Sequence, residues 1–311
     1  MENIEKYALS KSSKPKTLFG KVGLIGCGEV GRSIARMVSA RGMDVVFVEV
    51  SEEQIEKSLN SLSLDIDAII ERWGMVKSEK RAILSRIKGS TNYEILKECD
   101  IVIEAIISKN REKLINERKE IFEKLEKYVP KDTVIATNST TVVITELSSG
   151  LKYPERCVSF HFISPAPDAR IVEVVRGIYT SDATYEKVKN FSKLLGKKFI
   201  GATESPGIIS TRLVVPLINE ACEILMEGVG SMEDIDCTMS AGFGIPFGPF
   251  AMADKIGLDK LLKWCENLYQ EFGDLKYKAS PVIKKYVRAN LLGRKTGKGF
   301  YEYDKYGNRV K

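Results

Sequence analysis

The stretch from residue 21 to 50 constrains the fold more than any other. Residues 21–26 (KVGLIG) form a short apolar run that opens directly into Gly26-Cys-Gly-Glu-Val-Gly31. An amphipathic helix to about Ala40 follows. A second apolar run, 44–50, carries Glu49 near its end. Strand, glycines, helix, strand and acid in that order specify a βαβ unit of the dinucleotide-binding kind. Gly26 makes the tight turn, Gly28 lets a pyrophosphate approach the backbone, and Gly31 lets the helix pack on the sheet. Glu29 and Val30 complete that turn. The free N–H groups of the helix N-terminus suit phosphate. Glu49 lies 18 residues after Gly31. It can accept hydrogen bonds from a ribose 2′-hydroxyl and would repel a 2′-phosphate. No arginine follows it, so the expected cofactor is NAD rather than NADP.

A second feature is singular. His161 is the only histidine in the chain, so proton transfer by a ring near neutral pH has one possible source. It ends an apolar run, 157–162, that reads as a buried strand. Ser164-Pro-Ala-Pro then reads as a turn, and a second strand, 170–175, carries Glu173. A strand returning this way can set a carboxylate beside the imidazole, fix its tautomer and stabilise its cation. The plain alternative is a core histidine with a solvated glutamate nearby.

Taken in order, the rest of the chain continues the alternation. Ser51-Glu-Glu-Gln54 reads as a capping box for a helix to about Trp73, and a shorter helix at 78–87 completes a helical hairpin over about 51–87. This is either a protrusion or a lip over the active site. Strands follow at 100–105 and 133–137, with a charged helix at 109–128 between them. Ala105 and Asn138 stand at the C-terminal ends of those strands, where open α/β sheets bind ligands. Asn138-Ser-Thr-Thr141 either holds a carbonyl or a nicotinamide amide, or caps a short helix near Ile144. A helix at 182–195 and a strand at 198–203 end the pattern. Beyond Glu204-Ser-Pro-Gly207 the sequence is helical, with Pro206 suited to a first turn and Pro216 expected to kink the long helix ending near Glu227. Further helices are expected at 232–240, 258–271 and 281–289. The predicted architecture is α/β: a Rossmann-type doubly wound sheet over 19–204, then an all-α domain over 205–311 that serves substrate binding and dimerisation.

Composition narrows the partners. A net charge of +6 reflects either lysine-rich solvated faces or a phosphate-bearing ligand. The lysines are not interleaved with aromatics, which argues against nucleic acid. Six cysteines with no CxxC pair, beside one histidine, argue against a metal site. They read as reduced core residues of a cytoplasmic protein. No apolar run is long enough to span a membrane, and residues 1–18 read as a frayed polar leader without a signal peptide.

Several segments together resemble the short-form 3-hydroxyacyl-CoA dehydrogenases, especially the bacterial 3-hydroxybutyryl-CoA dehydrogenases, over about residues 20–303. These are GCGEVG at Gly26, DIVIEA at Asp100, ATN at Ala136, HFISPAP at His161, RIVEVVRG at Arg170, SPGIISTRL at Ser205, GPFAMADKIGLD at Gly248 and LGRKTGKGFYEY at Leu292. The resemblance implies that His161 and Glu173 form the catalytic pair and that the Thr140 hydroxyl touches the reacting oxygens, where the family has serine. It implies that Arg118 and Lys285 stand where the family has lysines near the cofactor. Four departures accompany it. Ser164 and Thr211 replace asparagines at substrate-contacting positions. Ser108 replaces a glutamate, with about five extra residues before Arg118. Leu64 and Ala68 replace lysines that reach the CoA phosphates. The implied activity is NAD-dependent interconversion of an L-3-hydroxyacyl thioester, such as 3-hydroxybutyryl-CoA, and its 3-oxoacyl form. Alternatives are the same chemistry on an acyl carrier protein or a free 3-hydroxy acid, and a non-catalytic NAD-binding sensor. A homodimer through the C-terminal domain is expected.

Overall fold

The computed structural model describes residues 19–72, 74–106, 111–163, 169–304 and 306–310. The leader, Trp73, Ser108 and the turn beginning at Ser164 lie outside them. The first part of the chain forms β1 (Lys21–Ile25), α1 (Glu29–Ala40), β2 (Asp44–Val48), α2 (Glu52–Glu71), α3 (Lys77–Ser85), β3 (Ile87–Ser90), β4 (Ile101–Glu104), α4 (Arg111–Tyr128), β5 (Val134–Thr137), α5 (Ile144–Ser148), β6 (Cys157–Phe162), β7 (Ile171–Arg176), α6 (Asp182–Leu194) and β8 (Lys198–Thr203).

These strands make one sheet in the order β3-β2-β1-β4-β5-β6-β7-β8. Pairing is parallel from β3 through β6, antiparallel between β6 and β7, and parallel again between β7 and β8. The central strands are covered on both faces, which explains their near-continuous apolar runs. Alternate residues serve opposite layers. Val22, Leu24, Val45, Phe47, Ile101 and Ile103 pack with Ile34, Val38, Leu62 and Ile66 of α1 and α2. Ile25, Val46, Val48, Val102 and Ile135 pack with Phe122 and Leu125 of α4 on the other side. The chain runs outward from β1 to β3 and then returns to β4, so the crevice beyond the ends of β1 and β4 is the sheet's switch point.

Local chemistry starts and stops the elements. The Ser51 hydroxyl accepts from the Gln54 N–H at 3.2 Å and caps α2. Arg32 to Asp65 and Lys80 to Asp67 then tie α2 to α1 and α3. One edge strand, β3, was not expected from the sequence. Its four residues, IKGS, carry no apolar run, and only pairing with β2 makes them a strand.

The remaining chain forms α7 (Ser210–Met226), α8 (Met232–Cys237), α9 (Pro249–Ile256), α10 (Leu258–Phe272) and α11 (Pro281–Arg288). Val215, Ile218, Cys222, Phe250, Leu261, Leu268, Ile283 and Phe300 form their common core. Pro206 does not enter a helical first turn as expected. Gly207 and Ile208 take positive φ of 85° and 51°, which turns the chain before α7 begins. Pro216 lies inside α7. Helix α9 was also unforeseen; the buried Asp236 carboxylate accepts from the N–H groups of Phe250 and Ala251 at 2.8 and 2.9 Å and caps its start. Asp254 does the same for the C-terminal segment, accepting from Phe300 and Tyr301 N–H at 2.9 Å each and from the Tyr303 hydroxyl at 3.0 Å. Gly293 and Gly299 make that fold-back possible, since a Cβ on Gly299 would lie 2.0 Å from Asp254 Oδ1. No helix among the described residues is long and apolar enough to cross a membrane.

Candidate active site

Two cavities meet at Ala105 and Ile106, beyond the ends of β1 and β4. The first is lined by Gly26, Gly28, Val48, Glu49 and Val50. The second is lined by Glu29, Val30, Arg118, Asn138, Thr140, His161 and several residues of α10. The glycine turn has the geometry a dinucleotide needs. Gly26 has a φ of +85°, and a Cβ on Gly31 would lie 2.2 Å from Gly26 O. Nothing lies within 4 Å of where a Cβ on Gly28 would be, so bare backbone faces open space at the N-terminus of α1. Glu49 Oε1 accepts from the Cys27 N–H at 2.6 Å, and Oε2 lies 3.3 Å from the Val50 nitrogen. The carboxylate therefore braces the turn it stands beside. The Cys27 thiol is pushed up to about 12 by burial and by Glu49, which keeps it protonated and unreactive.

The antiparallel register sets His161 directly opposite Glu173. Side chains so paired share a face, and His161 Nδ1 lies 2.9 Å from Glu173 Oε2. Both residues are buried. Burial works to raise the Glu173 carboxyl, but hydrogen bonds from His161 and from the Ser210 hydroxyl and N–H outweigh it and hold the group below its usual value. Burial lowers the pKa of His161, and the neighbouring Glu173 only partly offsets it. The consistent state at neutral pH is an ionised Glu173 accepting Nδ1–H from a neutral imidazole, which leaves Nε2 as a base. The pairing that the sequence suggested is present, and the ring lines the cavity that Thr140 also lines.

The strand ends around this pair are tied by a buried polar network. Glu104, fully buried, accepts from the Thr137 hydroxyl at 2.6 Å and the Ile106 N–H at 2.7 Å, and pairs with Arg118 Nε at 2.9 Å. Arg118 donates onward to the Ser139 hydroxyl at 2.9 Å. Asn138-Ser-Thr-Thr141 does not cap α5, whose N-cap is Val143 without a side-chain cap bond; all four residues line the cavity. Asn138 Oδ1 accepts from the Phe162 N–H at 2.8 Å, fastening β6 to the end of β5. Ser139 accepts from the Val142 N–H at 3.0 Å. Asn267 of α10 donates to the Thr141 hydroxyl at 2.9 Å, which joins the helical domain to the sheet.

The other expected residues divide. Thr140 lines the cavity with His161. Thr211 is buried one residue beyond Ser210 and lines neither cavity, and its hydroxyl has no hydrogen-bond partner among the described residues. Lys285 is a correction: it is exposed on α11 and lines neither cavity. The C-terminal lysine that does line one is Lys295, carried there by the segment folded onto Asp254. Leu64 and Ala68 are exposed on α2, and among the twenty residues of that helix six are acidic and one is lysine. Ser164 lies outside the described residues. The sequence reading passed over Ser210, Lys260, Trp264, Asn267 and Lys295. The SPGIISTRL and LGRKTGKGFYEY segments contain two of them, which was the available signal.

Comparison with known proteins covers nearly the whole chain. The family model described as 3-hydroxyacyl-CoA dehydrogenase, NAD binding domain, matches residues 21–205, and its C-terminal domain partner matches 207–303. A 3-hydroxybutyryl-CoA dehydrogenase of Clostridioides difficile is 39% identical over 92% of this chain and 100% of its own. The mitochondrial hydroxyacyl-coenzyme A dehydrogenase of Homo sapiens is 32% identical, covering 97% of each chain. Among solved structures, (S)-3-hydroxybutyryl-CoA dehydrogenase from Ralstonia eutropha superposes with a TM-score of 0.79 at 38% identity, covering 92% of this chain and 100% of that one.

Proposed function

The chain belongs to the 3-hydroxyacyl-CoA dehydrogenase family, and from that premise we propose that it interconverts an L-3-hydroxyacyl thioester, such as 3-hydroxybutyryl-CoA, and its 3-oxoacyl form. One observation carries the reading: an imidazole, held through Nδ1 by a buried carboxylate, lines the cavity that continues into the glycine cleft. NAD, when bound, supplies the hydride acceptor. Gly26, Gly28, Glu29 and Val30 would hold its phosphates, with Gly31 packing the helix that presents them, Glu49 would hold the ribose, and Ala105, Asn138 and Arg118 would border its path.

In oxidation, His161 Nε2 takes the proton of the 3-hydroxyl as the hydride leaves C3. Glu173 offsets the imidazolium charge. In reduction, His161 returns that proton. Thr140 offers its hydroxyl to the reacting oxygen. Thr211 is buried with an unpartnered hydroxyl and lines neither cavity, so it takes no direct substrate contact in this reading. A sensor has no use for a base so arranged.

We read the division of labour as cofactor on residues 19–204 and substrate and dimer contacts on 205–311. Exposed Leu213, Val229 and Phe243 on the helical part suit a homodimer. Five buried free cysteines suit a reducing, cytoplasmic setting. The acidic α2 favours a second reading of the handle, in which the acyl group arrives free or on a carrier rather than on CoA, because carboxylates repel CoA phosphates. The test measures NADH oxidation with acetoacetyl-CoA, acetoacetyl carrier protein and acetoacetate. At least one should turn over, and His161→Ala should lower that rate by about 10²–10⁴. Equal rates in the variant would defeat the assignment.

A further inference from the structure

We propose that Lys260 is a specificity-determining receptor for a carboxylate on the acyl part of the substrate. The inference rests on the hydride-transfer reading and names the substrate class it serves. Lys260 lies on α10 and lines the same cavity as His161 and Thr140. The other charges around it are largely spoken for. Arg118 pairs with Glu104. Lys295 pairs with Asp259. Lys260 forms no ion pair among the described residues; its ammonium stands 5.0 Å from the centroid of the Trp264 ring, in a cation–π contact. Glu29 is close enough to favour the charged form but not close enough to bond it, and it sits at the glycine turn, on the phosphate side of the cavity.

A half-buried ammonium without a counter-charge is costly. Here burial lowers the Lys260 pKa, which Glu29 and Asp259 only partly oppose. A carboxylate on the substrate would supply the missing charge, and a charge-assisted hydrogen bond of this kind is about twice as strong as a neutral one. The lysine also acts on the base beside it. Its positive charge lowers the pKa of His161 further, which keeps the imidazole neutral and ready to accept the hydroxyl proton. Two sources share the chemistry: a free 3-hydroxy acid, and a thioester whose acyl chain carries a second carboxylate.

The experiment compares acetoacetate, the 3-oxoglutaryl half-thioester of N-acetylcysteamine, and the neutral acetoacetyl thioester of N-acetylcysteamine. It uses NADH with the wild-type protein, Lys260→Thr and Lys260→Arg. Calorimetry follows binding of 3-hydroxybutyrate to the NAD complex in parallel. The wild type should prefer a carboxylate-bearing substrate, and which of the two turns over faster identifies the source. Lys260→Thr should lower the ratio of kcat/KM for that substrate over the neutral thioester by about 10- to 100-fold, mainly through KM. Lys260→Arg should restore most of it. A ratio that does not move overturns the proposal, and so does a loss confined to NADH affinity, which would make Lys260 a cofactor ligand. Turnover of the neutral thioester without carboxylate preference sinks Lys260 and leaves hydride transfer standing. Carboxylate binding that depends on Lys260, without turnover of any substrate, does the reverse. Neither turnover nor binding overturns both.

Discussion

Ser210 grips Glu173 twice: its N–H donates to Oε1 at 2.8 Å and its hydroxyl to Oε2 at 2.7 Å. The first residue of α7 thus holds the carboxylate that holds the His161 ring. The setting of the His161–Glu173 pair thus depends on how α7 meets the sheet.

Replacing Ser210 by Ala should therefore act at a distance from the substrate. The backbone N–H remains, so part of the grip survives. Loss of one hydrogen bond to a charged group predicts a fall in kcat of about tenfold, with NADH affinity retained. With its carboxylate less stabilised, Glu173 supports the imidazolium differently, so the acid limb of the pH profile should also move. An unshifted profile with lowered thermal stability alone would make Ser210 merely structural.

The pH dependence of the reaction follows from the direction of the His161 shift. Burial holds this ring below its ordinary value of 6.5. Oxidation needs the neutral ring, so its kcat/KM should stay level as pH falls from 8 to about 6.5 and decline only below that. Reduction needs the imidazolium and should slow as pH rises across the same range. The unfolded chain binds the proton more readily than the fold, so the stability contributed by the neutral ring is present above about pH 6.5 and is lost as pH falls toward the folded value. An acid limb above 6.5 in steady-state profiles would contradict the assignment.

The two glycines of the turn should fail differently. Gly31→Ala puts a Cβ 2.2 Å from Gly26 O, and overpacking against backbone costs about 1–3 kcal/mol. Its ligand-free Tm should drop by several degrees. Gly28→Ala meets nothing within 4 Å, so its ligand-free Tm should match wild type while NADH affinity, followed by fluorescence titration, falls at least about tenfold. Equal affinities would remove the phosphate path from this turn.

Arg118→Ala leaves Glu104 buried without its cation. Breaking a buried pair from one side costs about 3–5 kcal/mol, softened here by the bonds Glu104 retains from Thr137 and Ile106. Urea unfolding should show a loss of at least about 2 kcal/mol. Adding Glu104→Gln to Arg118→Ala should recover part of it, and failure of that rescue would point to lost packing instead.

How much of this was legible beforehand depended on range. β1, the helix behind the glycines and β2 lie within one run of thirty residues or fewer, the His161–Glu173 pairing lies within another, and local spacing brings each together. Asn138 stands at a strand end as the sequence suggested, but its bond to the Phe162 N–H depends on how β5 and β6 pair, which no local pattern encodes. Lys285 was chosen where Lys295 was the residue that reached the cavity. The two differ by ten positions, and only the fold-back onto Asp254 separates them. The strand β3 had no periodicity to read, since an edge strand of four residues takes its shape from its neighbour.

The sequence by itself determined the chemistry available: one histidine, a carboxylate twelve positions later, and a glycine turn set between strand and helix as a dinucleotide crevice requires. Glycine conformations and apolar periodicity are local, and local patterns survive without coordinates. Tertiary structure alone decided which charges surround the reacting centre. Ser210, Lys260 and Lys295 come from segments far along the chain, and their placement follows from the packing of a second hydrophobic core against the first. No spacing in the sequence encodes that distance.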